Sequence, residues 1–270
     1  MYTKSLEIET RNHGVDSHLD VTKSLGNLGN VLNDMGKHEE TIVQHQKGLE
    51  IYLKLLGNEH LHVAAAFNNL GVVYYSLGQY EQALEYYQKD LDITVRLVGD
   101  DHPNVADTFN NIGNVYEGKG DFENALIQFQ KALEILTRVF GSDHPDVAVS
   151  YINIGGVYYS QGQYERALEN YQKVLEIFIK DSGQDHLDVA MSYNNIGNIY
   201  NRQGKYEEAL EYYQKDLDIT VRLVGDNHPD VAKSFNNIGL VYEKKGDYEN
   251  ALVQHQKAHS GLGFDQVLAS

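Results

Sequence analysis

Apolar residues recur with helical spacing between Val105 and Lys119. Apolar or small residues occupy positions 105, 106, 109, 112, 113, 115 and 116, which form one broad face of an α-helix. Pro103 suits the first turn of such a helix, where its missing N–H would have no partner, and Gly120 suits the left-handed residue after the last turn. The pattern therefore predicts an amphipathic helix, here called helix A.

A second helical pattern, helix B, runs from Phe122 to Phe140 and is ended by Gly141. Because only a few residues separate helix A from helix B, the two are predicted to pack antiparallel as a helical hairpin. Gly113 and Ala125 are expected where the two helices cross, since a missing or small side chain lets the backbones approach closely.

The same pair of patterns recurs every 42 residues along the chain. Six copies of a helical hairpin predict an all-α solenoid, in which each unit buries its apolar face against its neighbours. The glycine that marks the register of the copies stands at Gly29, Gly71, Gly113, Gly155, Gly197 and Gly239.

The period assigns residues 1–259 to a single array. A leading half unit is expected at 1–14, followed by a loop at 14–18, and an irregular tail is expected at 260–270. Together these ends predict a segment of a longer protein whose uncapped end faces favour end-to-end self-association. The six repeats are expected at about 19–57, 61–99, 103–141, 145–183, 187–225 and 229–259.

Each unit resembles the tetratricopeptide repeat. In the third unit the likeness rests on Phe109, Ile112, Gly113 and Tyr116, followed by Ala125 and Phe129. Helix B is longer than in ordinary repeats of that family and leads into Asp-His-Pro-Asp-Val-Ala at 143–148, which is similar to the 42-residue repeats of kinesin light chains. The resemblance implies a right-handed superhelical solenoid of antiparallel helix pairs, whose A helices line a concave groove that holds a peptide.

The resemblance also implies which side chains face that groove, and most of them are Asn or Tyr. An Asn amide both donates and accepts, so it can hold a peptide backbone, and Tyr offers a flat amphipathic surface. Solvated positions on a helix face would carry the same residues, so that interpretation stays open. The second Asn of each unit, two residues before the glycine, is expected to bind a neighbouring backbone instead. The expected groove residues are Asn68, Tyr75, Asn110, Asn114, Tyr159, Asn194, Asn198 and Asn236.

Composition limits the partners of such a groove. The formal net charge of −17 opposes a nucleic-acid partner and leaves basic or neutral proteins, and acidic peptide ligands, which need a basic groove, are not expected. No stretch of about 18 apolar residues predicts a membrane-spanning helix. Cysteine is absent, which excludes a disulfide framework or a thiol nucleophile. These features fit a cytoplasmic protein that binds neither nucleic acid nor membrane.

Six histidines recur in register, and a metal site is one interpretation of them. Successive copies are expected about one helix pair apart, too far for metal–nitrogen bonds of about 2 Å to converge on one ion. Capping or loop packing is therefore expected for His18, His60, His102, His144, His186 and His228. Because the phosphate-binding and zinc-protease motifs are missing as well, no enzyme activity, metal or cofactor is expected.

The sequence as a whole predicts a protein-interaction module or scaffold that binds a peptide segment of a partner protein in its groove. Two alternatives stay open at this point. One is a structural or self-assembling spacer whose groove remains empty, and the other is the regulatory or sensor array of a larger multidomain signalling protein.

Overall fold

The computed structural model describes the backbone of residues 14–261 and the side chains of residues 21–259. This part of the chain contains twelve α-helices and no strand, which confirms the all-α prediction. None of these helices has the length and hydropathy of a membrane span. The helices form six consecutive pairs: α1 (Gly14–Asp34) with α2 (His38–Leu56), α3 (Leu61–Ser76) with α4 (Tyr80–Val98), α5 (Pro103–Gly118) with α6 (Phe122–Phe140), α7 (Pro145–Ser160) with α8 (Tyr164–Ser182), α9 (Leu187–Arg202) with α10 (Tyr206–Val224), and α11 (Pro229–Lys245) with α12 (Tyr248–Gly261).

The chain divides into two compact units, one ending at Val139 and the other beginning at Phe140. In the first unit, the second helix of one pair packs against the first helix of the next, so that α2 contacts α3 and α4 contacts α5. Helices α3 and α5 also touch directly. The second unit repeats the arrangement, with α8 against α9 and α10 against α11. Each unit is therefore a stack of helix pairs in which the second helix of one pair packs against the first helix of the next.

A buried contact between glycine and a ring fixes the crossing of the helices within a pair. A Cβ atom added to Gly113 would lie 2.5 Å from Cε1 of Phe129, whose side chain is fully buried, as is Ala125. The glycine therefore allows the close approach that the sequence predicts at this crossing. Four other pairs share a comparably close contact, namely Gly71 with Tyr87, Gly197 with Tyr213, Gly29 with His45 and Gly239 with His255.

Histidine side chains cap the first helix of five pairs. In each case Nδ1 accepts a hydrogen bond from the backbone N–H two residues later, at 3.1–3.3 Å, and so satisfies a donor that the helix leaves unpaired. The predicted capping role is confirmed for His60, His102, His144, His186 and His228, whereas the side chain of His18 lies outside the described residues. Among the described residues, no group of three or more side chains could hold a metal ion.

The first helix begins earlier than the sequence predicts. The loop expected at residues 14–18 is helical, because α1 already begins at Gly14. This segment contains no proline, and its single glycine stands at the first helical position, so the backbone offers no obstacle to helix extension. Residues 1–13 of the expected half unit and residues 262–270 of the expected tail lie outside the described residues, and the first two tail residues belong to α12.

Candidate functional site

All eight predicted groove residues lie on the first helices of their pairs. Spacings of four or seven residues put those that share a helix on one face of it. None of the eight is fully buried. They are Asn68 and Tyr75 on α3, Asn110 and Asn114 on α5, Tyr159 on α7, Asn194 and Asn198 on α9, and Asn236 on α11.

In the first unit, a cavity of about 220 Å³ opens between α3, α4 and α5. Its walls come from the first helices, and its floor comes from the second helix α4. Asn68, one of the predicted groove residues, lines the wall on α3, so the cavity is a recess beside that part of the predicted groove. The polar residues that line it are Asn68, Asn69, Asp90, Thr94, Asn104, Asp107, Thr108 and Asn111.

Asp90 is a buried carboxylate at the floor of this cavity, with 5% of its surface exposed. Thr108 Oγ1 donates to its Oδ2 atom at 2.7 Å and Asn68 Nδ2 donates to the same atom at 3.3 Å. Thr94 Oγ1 donates to Oδ1 at 3.1 Å. Burial raises the pKa of Asp90, and the three hydrogen bonds oppose that rise. Since all three donors are neutral, they solvate the carboxylate without supplying a positive charge.

The second unit contains the same cavity, displaced by 126 residues in the sequence. It measures about 250 Å³ and lies between α9, α10 and α11. Its floor is Asp216, also 5% exposed, which accepts from Ser234 Oγ at 2.7 Å, Asn194 Nδ2 at 2.9 Å and Thr220 Oγ1 at 3.2 Å. Burial raises the pKa of Asp216 as well, while these hydrogen bonds and the charge of Lys233 oppose the rise.

The two cavities differ in charge at the rim. Lys233 in the second unit replaces Asp107 of the first, and Asp230 replaces Asn104. The first cavity therefore carries only acidic and neutral side chains, whereas the second contains its own cation.

An additional amide chain joins the wall of the second cavity to the core of its helix pair. The Tyr213 hydroxyl donates to Asn198 Oδ1 at 2.7 Å, and Asn198 Nδ2 donates to Asn194 Oδ1 at 3.2 Å. Burial raises the pKa of Tyr213 to about 12. Val72 stands at the place of Asn198 beside the first cavity, so α3 cannot form this chain of amides.

A third cavity, of about 200 Å³, lies between α1, α2 and α3 and has no acidic floor. Gly48 and Ala66 stand there in place of Asp90 and Thr108. The recess is thus present in all three of these cavities, whereas the buried carboxylate is present in two of them.

The other predicted residues lie away from the acidic floors. The Tyr75 side chain is 37% exposed and its ring lies 6.0 Å from that of Tyr80. The Tyr159 hydroxyl accepts a hydrogen bond from Arg202 Nε at 2.9 Å. Both tyrosines therefore present an amphipathic surface on first helices.

Four of the predicted asparagines also lie outside the cavity walls, and Asn198, described above, is one of them. Asn110 and Asn114 are half-buried on α5, while Asn236 is exposed and its Oδ1 atom lies 3.1 Å from Nδ1 of His255. The asparagines two residues before the register glycine were expected to bind a neighbouring backbone, and this expectation stays a prediction. Four of them, Asn27, Asn69, Asn111 and Asn195, line cavities.

Sequence reasoning missed the two floor residues, although a comparison of the copies contains a signal for them. The position 19 residues after the register glycine is small or apolar in four units and acidic in two. The residues at this position are Gly48, Asp90, Ala132, Val174, Asp216 and Ala258. An acidic residue at a repeat position that is small or apolar in the other units indicates that the surrounding residues solvate its charge.

Comparison with known families settles the identity of the repeat. A sequence profile described as tetratricopeptide repeat matches residues 20–94, 64–137, 104–180 and 188–262, and a second profile with the same description matches residues 152–220. The chain belongs to the tetratricopeptide repeat family. A search of curated proteins finds no match for the chain.

Solved structures of similar fold include kinesin light chain-like repeat proteins. BtubC from P. vanneervenii is 22% identical with a TM-score of 0.73, over 85% of this chain and 92% of that one. A putative kinesin light chain from Podosopora anserina is 20% identical with a TM-score of 0.66, over 77% and 99%. The signal transduction ATPase with a tetratricopeptide repeat sensor from Pyrococcus horikoshii is 17% identical with a TM-score of 0.71, over 99% of this chain and 41% of that one. At these identities the likeness establishes the solenoid fold, as the sequence predicts.

Proposed function

We propose that this tetratricopeptide repeat protein is a protein-interaction module that binds an extended peptide segment of a partner protein along the first helices of its pairs. Tetratricopeptide repeats generally serve as non-catalytic interaction modules, and this proposal assigns the chain no enzyme activity and no cofactor. It also places the protein in the cytoplasm, since a chain without cysteine is compatible with a reducing compartment.

The observation that carries the proposal is the recessed, amide-rich face of the first helices. Asn68 and Asn69 in the first unit, and Asn194 and Asn195 in the second, line cavities that open beside further asparagines and tyrosines of the same helix faces. Amide side chains can pair with both the N–H and C=O groups of an extended peptide, and tyrosine rings add contact area at low entropic cost. A recess in such a face gives a side chain of the ligand a place to be buried.

The net charge of −17 favours a basic or neutral protein segment over a nucleic acid as the partner. A nucleic-acid surface requires clustered Lys and Arg, and the cavity above Asp90 is lined by neither.

A peptide array followed by solution binding tests the proposal. Binders found on the array are labelled, and their dissociation constants are measured by fluorescence anisotropy for the parent, for Tyr75→Ala and for Asn114→Ala. These two positions are suitable because Asn68 and Asn194 also bind the buried carboxylates, so that replacing them would change more than the groove. The matched control is Gln130→Ala, an exposed position on the second helix α6.

We expect each groove substitution to weaken binding by about tenfold, the size of one lost side-chain contact at an interface, and the control to bind as the parent does. An array without any saturable binder, or groove variants that bind as tightly as the control, would overturn the proposal and favour a spacer with an empty groove.

A further inference from the structure

The carboxylate of Asp90 lacks a positive partner. Transferring a charged group from water into a protein interior is unfavourable unless the charge is paired. Asp90 is nine-tenths buried, its three hydrogen-bond donors are neutral, and no charged group is among the causes that shift its pKa. The cavity above it is therefore lined by a negative charge that the described part of the chain leaves uncompensated.

The carboxylate also keeps room for a further donor. An ionised carboxylate has about four lone-pair sites, two on each oxygen. Thr108 and Asn68 use both sites of Oδ2, while Thr94 uses one site of Oδ1. One acceptor site therefore remains on Oδ1 of a residue that lines the cavity.

The rim of the cavity attracts the same kind of ligand. Asp107 lines the cavity from α5 and is exposed. Asn104, Asn111 and Asn69 supply amide oxygens that can accept further hydrogen bonds from the same ligand. A cation that entered the recess would meet a buried carboxylate below it and a second carboxylate beside it.

The second unit provides the contrast. Its cavity has the same floor, but Lys233 lies where Asp107 lies in the first unit, and the charge of Lys233 opposes the rise in the pKa of Asp216. Asp230 also lines this rim, so its charge and that of Lys233 offset each other, and a positive ligand would meet neither a net negative rim nor an uncompensated carboxylate.

We propose that the cavity of the first unit binds the cationic side chain of a lysine or arginine residue of the peptide ligand, with Asp90 as its buried acceptor and Asp107 at its rim. This inference rests on the function proposed above and adds selectivity to it. The first unit selects a basic residue at one place along the peptide, and the second unit, despite the duplicated floor, does not.

The experiment uses capped amino acids as probes, so that it does not depend on the natural partner. N-acetyl-lysine N-methylamide is titrated into the isotopically labelled full chain, and the side-chain amide signals of Asn68 and Asn111 are followed by NMR. N-acetyl-norleucine N-methylamide, which lacks the charge, serves as the control ligand. The variants are Asp90→Asn and its matched control Asp92→Asn. Asp92 is exposed on the same helix, and its substitution removes the same charge. Asp107→Lys places a lysine where Lys233 lies in the second cavity.

We expect saturable shifts of Asn68 and Asn111 with the lysine probe in the parent and in Asp92→Asn. Asp90→Asn and Asp107→Lys should each raise the dissociation constant about tenfold or more, since a charge-assisted hydrogen bond or a nearby opposite charge is lost. Asn194 of the second unit should not shift. Circular dichroism checks that each variant keeps the helical fold. If Asp90→Asn does not fold, Asp107→Lys, a substitution at an exposed position, still tests the inference.

The inference is overturned if the parent shows no saturable shift, if the norleucine probe shifts the signals equally, or if both Asp90→Asn and Asp107→Lys bind as the parent does. These outcomes are separate from a failure of the proposed function. If array peptides bind with no preference for lysine or arginine, the proposed interaction function stands and only the proposed site for a basic side chain is rejected.

Discussion

Replacing Gly113 by alanine should destabilise the third helix pair. The new Cβ atom would lie 2.5 Å from Cε1 and 2.7 Å from Cδ1 of the Phe129 ring. The ring is fully buried, so it can move only by displacing other core residues. Overpacking of this kind costs about 1–3 kcal/mol, and the better helix propensity of alanine returns roughly 1 kcal/mol. The net cost for alanine is therefore on the order of 1 kcal/mol, and for Gly113→Leu roughly 3 kcal/mol or more.

Two other helical glycines provide matched controls. A Cβ atom on Gly155 would have its nearest contact at 3.1 Å, to Cε2 of Tyr171, so Gly155→Ala should cost less than Gly113→Ala. A Cβ atom on Gly26 would meet nothing within 4 Å, so Gly26→Ala should stabilise the chain by roughly 1 kcal/mol through helix propensity.

Thermal unfolding followed by circular dichroism gives the midpoints of these three variants and the parent. The midpoint should be highest for Gly26→Ala, intermediate for Gly155→Ala and lowest for Gly113→Ala. If Gly113→Ala unfolds at or above the midpoint of Gly155→Ala, the close packing between Gly113 and Phe129 does not limit stability, and the argument from the crossing distance is refuted.

Three further predictions concern the buried acid, the caps and the last helix. Burial raises the folded-state pKa of Asp90 above its unfolded value, so its stabilising contribution is greatest below the unfolded pKa and is lost as pH rises through the folded pKa. Urea midpoints at about pH 4 and about pH 7 should therefore show Asp90→Asn gaining stability relative to the parent as pH rises; a constant difference would contradict the shift. His228→Ala should lower the free energy of unfolding by about 0.5–2 kcal/mol through loss of the cap, and an unchanged midpoint would argue against that role. Helix α12 exposes Tyr248 and Leu252, at 73% and 59%, so light scattering should show a mass that rises with concentration, whereas a monomer at every concentration would exclude self-association.

The helix pairs, their caps and their glycine crossings could be predicted because each depends on residues that are close in sequence or repeated at one period. Helical spacing of apolar residues identifies both helices of a pair. His102 and Gly113 recur in every unit at the same distance from each other, which places the histidine at a helix start and the glycine at a helix crossing. Among the described residues, the start of α1 and the end of α12 differ from the prediction. At the start of α1, a segment without proline can join the helix of the following repeat.

The buried floors could not be predicted in the same way. A lone aspartate on a helix is ordinarily expected to be solvent-exposed. The burial of Asp90 depends on the neighbouring helices α3 and α5, whose residues Asn68 and Thr108 are 22 and 18 residues from Asp90 in the sequence. The same contacts change the interpretation of Asn68 and Asn194. Each binds a buried carboxylate, and a role for either in binding a ligand remains a prediction.

The central claim, that a partner peptide binds along the first helices, is tested most directly by site-specific crosslinking. The photoreactive residue p-benzoylphenylalanine is placed at Tyr75 on the first helix α3 and, in a separate variant, at the exposed Gln88 on the second helix α4. A peptide that binds on the array should crosslink at position 75, and excess unlabelled peptide should suppress that crosslink. Crosslinking at position 88 alone, or equal crosslinking at both positions, would contradict the account.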